Sequence, residues 1–139
     1  QSGYGVLDSL AIGFHDMNRD FIEGAQDVDQ SYIHNMRTED QSVENAAGMA
    51  ELAMQSSFAD GTLQGIGYAL HTDNDAFAEG HQGNQEFGGL WSWDNVGFNS
   101  QNAGMVKHLF QDSFPSDGRV DAAIQSGTDL VRDNGAAKK

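Results

Sequence analysis

Apolar residues recur with a helical period over the first quarter of the chain. Between residues 5 and 36 they are separated by steps of three or four, which places them on one face of an α-helix. The pattern predicts one long amphipathic helix that extends for about 48 Å. Because that is long for a compact domain, we expect the helix either to pack along a partner or to break near residues 27–30. The residues of this face are Leu7, Leu10, Phe14, Met17, Phe21, Ala25, Val28, Tyr32 and Met36.

Two shorter helices are predicted next. One extends from about Gln41 to Phe58, with either a capping box formed by Thr38 and Gln41 or a simple cap at Ser42. The other covers residues 62–71 and begins after Thr62, although the glycines at 65 and 67 weaken a helix there.

The C-terminal third predicts two more helices. Ser100 can cap a segment that contains Val106 and Leu109. Pro115 then breaks the chain, Ser116 can cap a last helix, and the Asn-Gly pair at 134–135 is a stop signal. The fold class is therefore mainly α: a long N-terminal helix and three or four shorter ones, in a single domain that covers residues 1–139.

A glycine-rich and aromatic segment interrupts the helices around residues 80–99. It is expected to be irregular or to contain a short β-strand, because Trp91 and Trp93 alternate as strand residues do. Two interpretations remain open: the aromatic side chains fill the helical core, or they form a surface for a ligand or a neighbouring subunit.

Charge and composition narrow the functional classes. Asp and Glu number 21 against 7 Lys and Arg, for a net charge of −14. Such a surface repels nucleic acids and anionic membranes and attracts divalent cations. The chain has no cysteine, which excludes disulfides, zinc–thiolate sites and cysteine nucleophiles. It has no apolar run long enough to span a membrane.

Clustered oxygen donors make a divalent-metal site the main chemical candidate. Asp73, Asp75 and Glu79 fall in a stretch that we expect to be a loop, and carboxylates with free backbone carbonyls are calcium ligands. A solvated acidic turn is the favoured interpretation of these residues, and calcium bound by the three carboxylates, as the one candidate cofactor, is the alternative.

Two weaker metal patterns occur within the N-terminal stripe. Asp16, Asn18 and Asp20 have the first spacings of a calcium-binding loop, but Phe21 replaces its required glycine. The sequences His15-Asp16-Met17 and His34-Asn35-Met36 combine imidazole and thioether donors, which suit copper. Residues two apart point in different directions on a helix, so neither His–Met pair can chelate an ion while it is helical.

Function is inferred here from composition, charge and predicted fold, because the sequence offers no catalytic motif. We find no nucleophile elbow, phosphate loop, HExxH or ExxH sequence. The chain begins with Gln1 rather than Met, as a mature exported protein does, which predicts a secreted, cell-surface or periplasmic location. We expect an acidic structural or interaction subunit that forms a homo-oligomer or binds a protein partner. The alternatives are an extracellular calcium-binding protein and an enzyme with an unrecognised site. The expected interface residues are Phe14, Phe21, Tyr32, Trp91, Trp93 and Phe98.

Overall fold

The fold is mainly helical, as the sequence predicts. A computed structural model describes residues 4–25, 27–78, 81, 83–87 and 117–136. The described α-helices are α1 (Val6–Asn18), α2 (Val43–Asp60), α3 (Leu63–Asp75) and α4 (Asp117–Ala136). Two 3-10 segments, η1 (Arg19–Phe21) and η2 (Val28–His34), lie between α1 and α2. None of the described helices is long and apolar enough to cross a membrane.

The prediction of a single long N-terminal helix is wrong. α1 ends at Asn18, and the chain then turns through Gly24 and Asn35, both of which have positive φ angles. The turn divides the apolar stripe into two parts with different environments. Ala25 and Met36 are 2% and 3% exposed in the core, whereas the α1 part of the stripe remains on the surface. A straight helix could not bury the second part, so tertiary packing overrides the local period.

α3 is the central helix, and its glycines explain how the other helices reach it. A Cβ atom at Gly65 would lie 2.2 Å from the carbonyl oxygen of Ser57 on α2. A Cβ atom at Gly67 would lie 2.6 Å from the carbonyl oxygen of Ile12 on α1. The residues that weaken the α3 pattern in the sequence are therefore the contact points that allow α1 and α2 to pack against it.

The helix starts identify which of the predicted caps are used. The Ser42 hydroxyl accepts a hydrogen bond from the backbone N–H of Asn45 (3.2 Å), and Thr62 accepts one from Gly65 (3.0 Å). The capping box at Thr38 is not the start of α2, because Thr38 and Gln41 instead form a separate turn before Ser42. The core on which the helices meet contains Ile12, Phe58, Ile66 and Ala69, flanked by partly buried residues that include Leu130 and Val131.

The glycine-rich segment is irregular where the structure describes it. One isolated parallel bridge joins Arg37 and Glu86, and no strand occurs among the described residues. The short β segment expected near Trp91 and Trp93, and the helix after Ser100, lie outside them. The last predicted helix is confirmed as α4, which continues through residues 134–135 to Ala136.

Candidate metal centre

Imidazole and carboxylate side chains gather beside the C-terminal half of α3. They come from α1, η1, η2, α3 and the turn that follows α3. The group consists of Asp16, Asp20, His34, His71, Asp75 and His81.

Local structure explains how each element contributes. Asp16 lies in the last turn of α1 and Asp20 in η1, whereas His71 and Asp75 lie four residues apart on α3 and share a face. His34 is the last residue of η2 and precedes a left-handed residue, Asn35, that redirects the chain.

Two buried hydrogen bonds fasten the backbone that carries His34. The Thr72 hydroxyl on α3 donates to the carbonyl oxygen of Ile33 (2.7 Å), and the Nδ1 of His81 donates to the carbonyl oxygen of His34. The second contact gives His81 a positioning role behind the centre. Its Nδ1 also lies 3.9 Å from Asp75 Oδ2.

The outer ring nitrogens of His34 and His71 face acceptors. His34 Nε2 lies 3.0 Å from the carbonyl oxygen of Ala25, to which it donates. His71 Nδ1 lies 3.6 Å from Asp16 Oδ1, while Asn74 holds the other oxygen of Asp16 at 3.1 Å. With the protons of the neutral rings on His34 Nε2 and His71 Nδ1, both outer nitrogens point a proton at an acceptor. The inner nitrogens, His34 Nδ1 and His71 Nε2, then present lone pairs.

Carboxylate oxygens of Asp75 and Asp20 lie near both inner nitrogens. His34 Nδ1 and His71 Nε2 are 3.2 Å apart, and Asp75 Oδ2 lies 3.1 and 3.3 Å from them. Asp20 Oδ1 lies 3.5 and 3.6 Å from the same two nitrogens. Metal–ligand bonds of about 2.0–2.2 Å hold neighbouring ligand atoms about 3.0–3.6 Å apart in octahedral or tetrahedral geometry. The ligand atoms of Asp20, His34 and His71 all lie within 4.8 Å of one another, so these three residues can hold one small ion.

The centre is buried on the protein side and open on the Asp20 side. The side chains of His34 and His71 are 4% and 7% exposed, and that of Asp75 is 18% exposed. The Asp20 side chain is 44% exposed and belongs to the short η1 segment. Solvent therefore reaches the centre through Asp20.

The charges of the centre shift the pKa values of His71 and Asp75. Burial works to lower the pKa of His71, but its hydrogen bond to Asp16 and the charges of Asp75, Asp20 and Asp16 together raise that pKa above its ordinary value. Burial works to raise the pKa of Asp75, but the hydrogen bond to His34 and the charges of the three histidines lower it. Without a metal ion, the site favours an imidazolium–carboxylate pair.

The predicted calcium residues have separate fates. Asp75 belongs to the centre. Asp73 instead accepts a hydrogen bond from Ser126 of α4 (2.9 Å), and burial raises the pKa of Asp73 more than this bond lowers it. Glu79 lies outside the described residues. The stretch that contains Asp73 and Asp75 is helical rather than the expected loop, so these two carboxylates face different elements.

The other predicted site residues do not form one surface. Phe14 and Phe21 are 60% and 83% exposed. Tyr32 is half-buried on η2, where its hydroxyl donates to Gln30 (2.9 Å), so it is not part of that face. The aromatic residues expected on a second surface (Trp91, Trp93 and Phe98) lie outside the described residues.

The weaker metal patterns contribute residues in a different way from the one expected. Asp16 and Asp20 both face His71 rather than forming a calcium loop. His34 points into the centre, while Met36 is buried in the core and Met17 is 70% exposed on the surface.

Sequence reasoning missed the centre as a unit. The available signal was the pair of four-residue spacings, Asp16–Asp20 and His71–Asp75. His34 has no carboxylate four residues away in the sequence.

Comparisons of this chain with known protein families, with curated proteins and with solved structures give no match. The function is therefore argued from the geometry and chemistry of the centre.

Proposed function

We propose that this protein binds one divalent transition-metal ion between Asp20, His34, His71 and Asp75. The observation that carries the proposal is that two buried imidazole nitrogens lie 3.2 Å apart, each within 3.6 Å of carboxylate oxygens of Asp20 and Asp75. A proton on His71 holds these groups together in the metal-free protein, and a divalent cation would displace it on binding. Two imidazoles with two carboxylates are a ligand set that suits zinc, so zinc is the ion we name.

The outer contacts support ligation as well as the inner ones. Metal-bound histidines donate their other ring N–H to a carbonyl or carboxylate group, which orients the ring and raises its basicity. Ala25 supplies the carbonyl for His34, and Asp16 supplies the carboxylate for His71. Neither outer contact is needed if the cluster is only a set of surface ion pairs.

The ion would tie three separate parts of the chain together. Asp20 belongs to η1, His34 to η2, and His71 and Asp75 to α3. η1 has no buried residue of its own, whereas η2 buries Ser31, Ile33 and His34. Because a site of this kind does not exist in the unfolded chain, metal binding would contribute directly to the stability of the fold.

A second candidate function is metal-assisted hydrolysis, and the exposure of Asp20 favours it. Catalytic zinc sites keep three protein ligands and leave one position for water. If water replaces the exposed Asp20 carboxylate, then His34, His71 and Asp75 remain as such a three-ligand set. The ion would lower the pKa of the bound water and supply a hydroxide nucleophile.

Calorimetric titration of zinc into chelator-treated protein tests the binding proposal. We expect one zinc ion per chain and a dissociation constant below about 1 μM. His71→Gln and Asp75→Asn should each weaken binding by about 100-fold or more, since each removes a ligand. His15→Gln is the matched control, because His15 contacts the rings of Phe14 and Tyr68 outside the centre. Equal affinity in all four proteins, or no zinc binding, would refute the proposal.

Cobalt substitution separates the structural role from the catalytic one. A closed four-ligand site should give the intense visible absorption of tetrahedral cobalt, and an inert ligand such as azide should not change it. In the hydrolytic alternative, azide changes the spectrum by taking the open position. Asp20→Ala should keep the ion under both hypotheses, and its spectrum should respond to azide under both.

Calcium binding by Asp73, Asp75 and Glu79, export of the chain, and assembly with a partner stay predictions. Titrating calcium into the zinc-free protein tests the first of them. Asp73→Asn distinguishes the two sites, because Asp73 is a ligand in the calcium hypothesis and lies outside the zinc set. Loss of calcium binding in this variant with unchanged zinc binding would favour two different uses of the acidic segment.

A further inference from the structure

We infer that the exposed apolar face of α1 and η1 binds the same face of a second copy of this chain, with the two helices antiparallel. We call this face the α1 seam and define it by Leu7, Leu10, Phe14, Met17 and Phe21. Their exposed fractions are 81%, 66%, 60%, 70% and 83%. The steps of three and four between them are those of a two-helix seam.

The size of the seam matches one side of a stable interface. Val6 extends it at the N-terminus and is 79% exposed. Large side chains offer about 150–250 Å² each, so six at these exposures present on the order of 800 Å². A standard interface buries about 800 Å² on each partner, and the largest apolar patch of a typical monomer is smaller, at about 300–600 Å².

The charges of α1 are arranged so that two seams can meet. The residues that flank the seam within the helix include Ala11, Gly13 and Asn18, which carry no charge. The acids of this segment have other partners: Asp8 accepts a hydrogen bond from the backbone N–H of Gly5, Asp16 faces His71, and Asp20 faces His34 and His71. The carboxylates of α1 and η1 therefore have partners within the chain, although the net charge of −14 repels the two copies at longer range.

The seam is close to symmetric about Phe14. Leu7 and Phe21 lie seven residues on either side of it, and Leu10 and Met17 lie four and three residues away. An antiparallel second copy would place Phe14 on the two-fold axis and Leu7 beside Phe21 of the second copy. A self-complementary patch of this kind closes on itself as a dimer rather than growing into a filament.

A lipid surface suits the seam less well than a second copy. Amphipathic helices that lie on membranes carry Lys and Arg on the polar face, which attract anionic lipids. In the α1–η1 segment Arg19 is the single Lys or Arg, and it packs over the ring of Tyr68 at 4.3 Å. The acidic chain would be repelled by an anionic bilayer.

The lack of cysteine makes cross-linking a direct test of the geometry. Under mild oxidation, Phe14→Cys should form a disulfide between two chains, because the two-fold axis brings the Cα atoms within about 7 Å. Leu7→Cys should cross-link to Phe21→Cys in a mixture but should not cross-link to itself. Leu52→Cys is the control, since Leu52 is 65% exposed on α2, away from the seam.

Sedimentation measures the affinity of the same contact. Wild-type protein should form a dimer of two 15.0 kDa chains, more tightly at high salt, which screens the repulsion. Leu10→Gln and Phe14→Gln should each weaken it by about 30-fold or more, the effect of removing an interface anchor. Leu52→Gln should leave it unchanged, and zinc affinity in all variants should match wild type, which shows that they are folded.

Three outcomes would overturn the inference. The first is wild-type protein that stays monomeric at every salt concentration, at protein concentrations up to about 1 mM. Association that weak would not support a functional dimer. The second is a dimer that Leu10→Gln and Phe14→Gln leave intact, which would put the interface elsewhere. The third is binding of wild-type monomers, but not of Phe14→Gln, to phosphatidylcholine vesicles, which would make the seam a membrane contact.

Discussion

Asp16 shows how a residue outside the ligand set can control the centre. Its carboxylate stands between His71 Nδ1 (3.6 Å) and the side-chain amide of Asn74 (3.1 Å). In the proposed metal-bound protein, this contact would favour the His71 orientation and tautomer in which Nε2 offers its lone pair to the ion.

We predict that Asp16→Asn lowers zinc affinity by roughly 10–100-fold, the usual effect of losing an outer partner of a metal-bound histidine. The stoichiometry should stay at one ion per chain, because the ligands remain. Titration with a competing chelator measures both quantities. An unchanged affinity would mean that His71 keeps its orientation without Asp16. Asp129→Asn on α4 is a control for the general effect of one lost negative charge.

The shifted pKa values of His71 and Asp75 predict that stability responds to pH in opposite directions with and without metal. In the zinc-free protein the pKa of His71 is raised, so its stabilisation is complete below its ordinary value of 6.5 and is lost as the pH rises through the raised value. The pKa of Asp75 is lowered, so its stabilisation is present above 3.8 and is lost as the pH falls through the lowered value. The zinc-free protein should be most stable between these limits.

Zinc needs the deprotonated imidazoles, so its affinity should rise over the range where the zinc-free fold weakens. We therefore expect the free energy of unfolding to fall above about pH 6.5 in chelator and to rise with zinc present. Urea unfolding between pH 5 and 8 measures both curves. His71→Gln should remove the part of the fall that belongs to this ring. Parallel curves with and without zinc would contradict the assignment of His71 as a ligand.

At the scale of elements, two glycines of α3 set how closely its neighbours pack. Gly67→Ala would put a methyl group 2.6 Å from the carbonyl oxygen of Ile12 and 2.9 Å from the backbone nitrogen of Asp16. α1 would have to move away, and Asp16 and Asp20 would move with it. We predict a loss of stability of about 1–3 kcal/mol or more from this overpacking, together with weaker zinc binding.

Gly48→Ala is the matched control for Gly67→Ala. Gly48 lies on α2, and a Cβ atom there would meet nothing within 4 Å. Alanine should stabilise this position by roughly 0.5–1 kcal/mol, since it restricts the unfolded chain and favours the helix. Thermal unfolding of the two variants measures the difference in sign. Two stabilised proteins would mean that α1 does not pack on α3 at Gly67.

The elements that the sequence predicts well are those with local signals. Ser42 and Thr62 begin α2 and α3 because each cap is formed within four residues, so a local reading can find it. The break after Asn18 has no comparable local signal. It depends on burying Ala25 and Met36 against distant elements, which the helical period cannot show.

The metal centre could be anticipated only in part, for the same reason. The sequence predicts Asp75 as a metal ligand, but with acidic neighbours in the chain rather than with distant histidines. His34 joins His71 across 37 residues, and only the fold brings their ring nitrogens to 3.2 Å. The four-residue spacing of His71 and Asp75 could have indicated half of the ligand set, and the position of η2 was needed for the rest.

At the scale of the whole molecule, a net charge of −14 works against a compact fold, and the proposed ion acts against part of that repulsion. Asp16, Asp20 and Asp75 lie around one point, so a divalent cation there offsets a local excess of negative charge. Added salt also weakens repulsion between exposed carboxylates, but screening acts over about 8–10 Å and reaches a buried centre poorly. The two effects should therefore be separable.

We predict that zinc at about 100 times its dissociation constant stabilises the protein by about 2.7 kcal/mol through binding to the native state alone. For a chain of this size, that corresponds to a rise in Tm on the order of 10 °C. Raising the salt concentration should increase the Tm of the zinc-free and zinc-bound proteins by similar amounts, because it screens the same exposed charges in both. Calorimetry at low and high salt, with and without zinc, measures the two increments. If high salt removed the zinc increment, the ion would be held by the diffuse acidic surface rather than by His34, His71 and the two carboxylates. In His71→Gln the salt increment should remain while the zinc increment disappears.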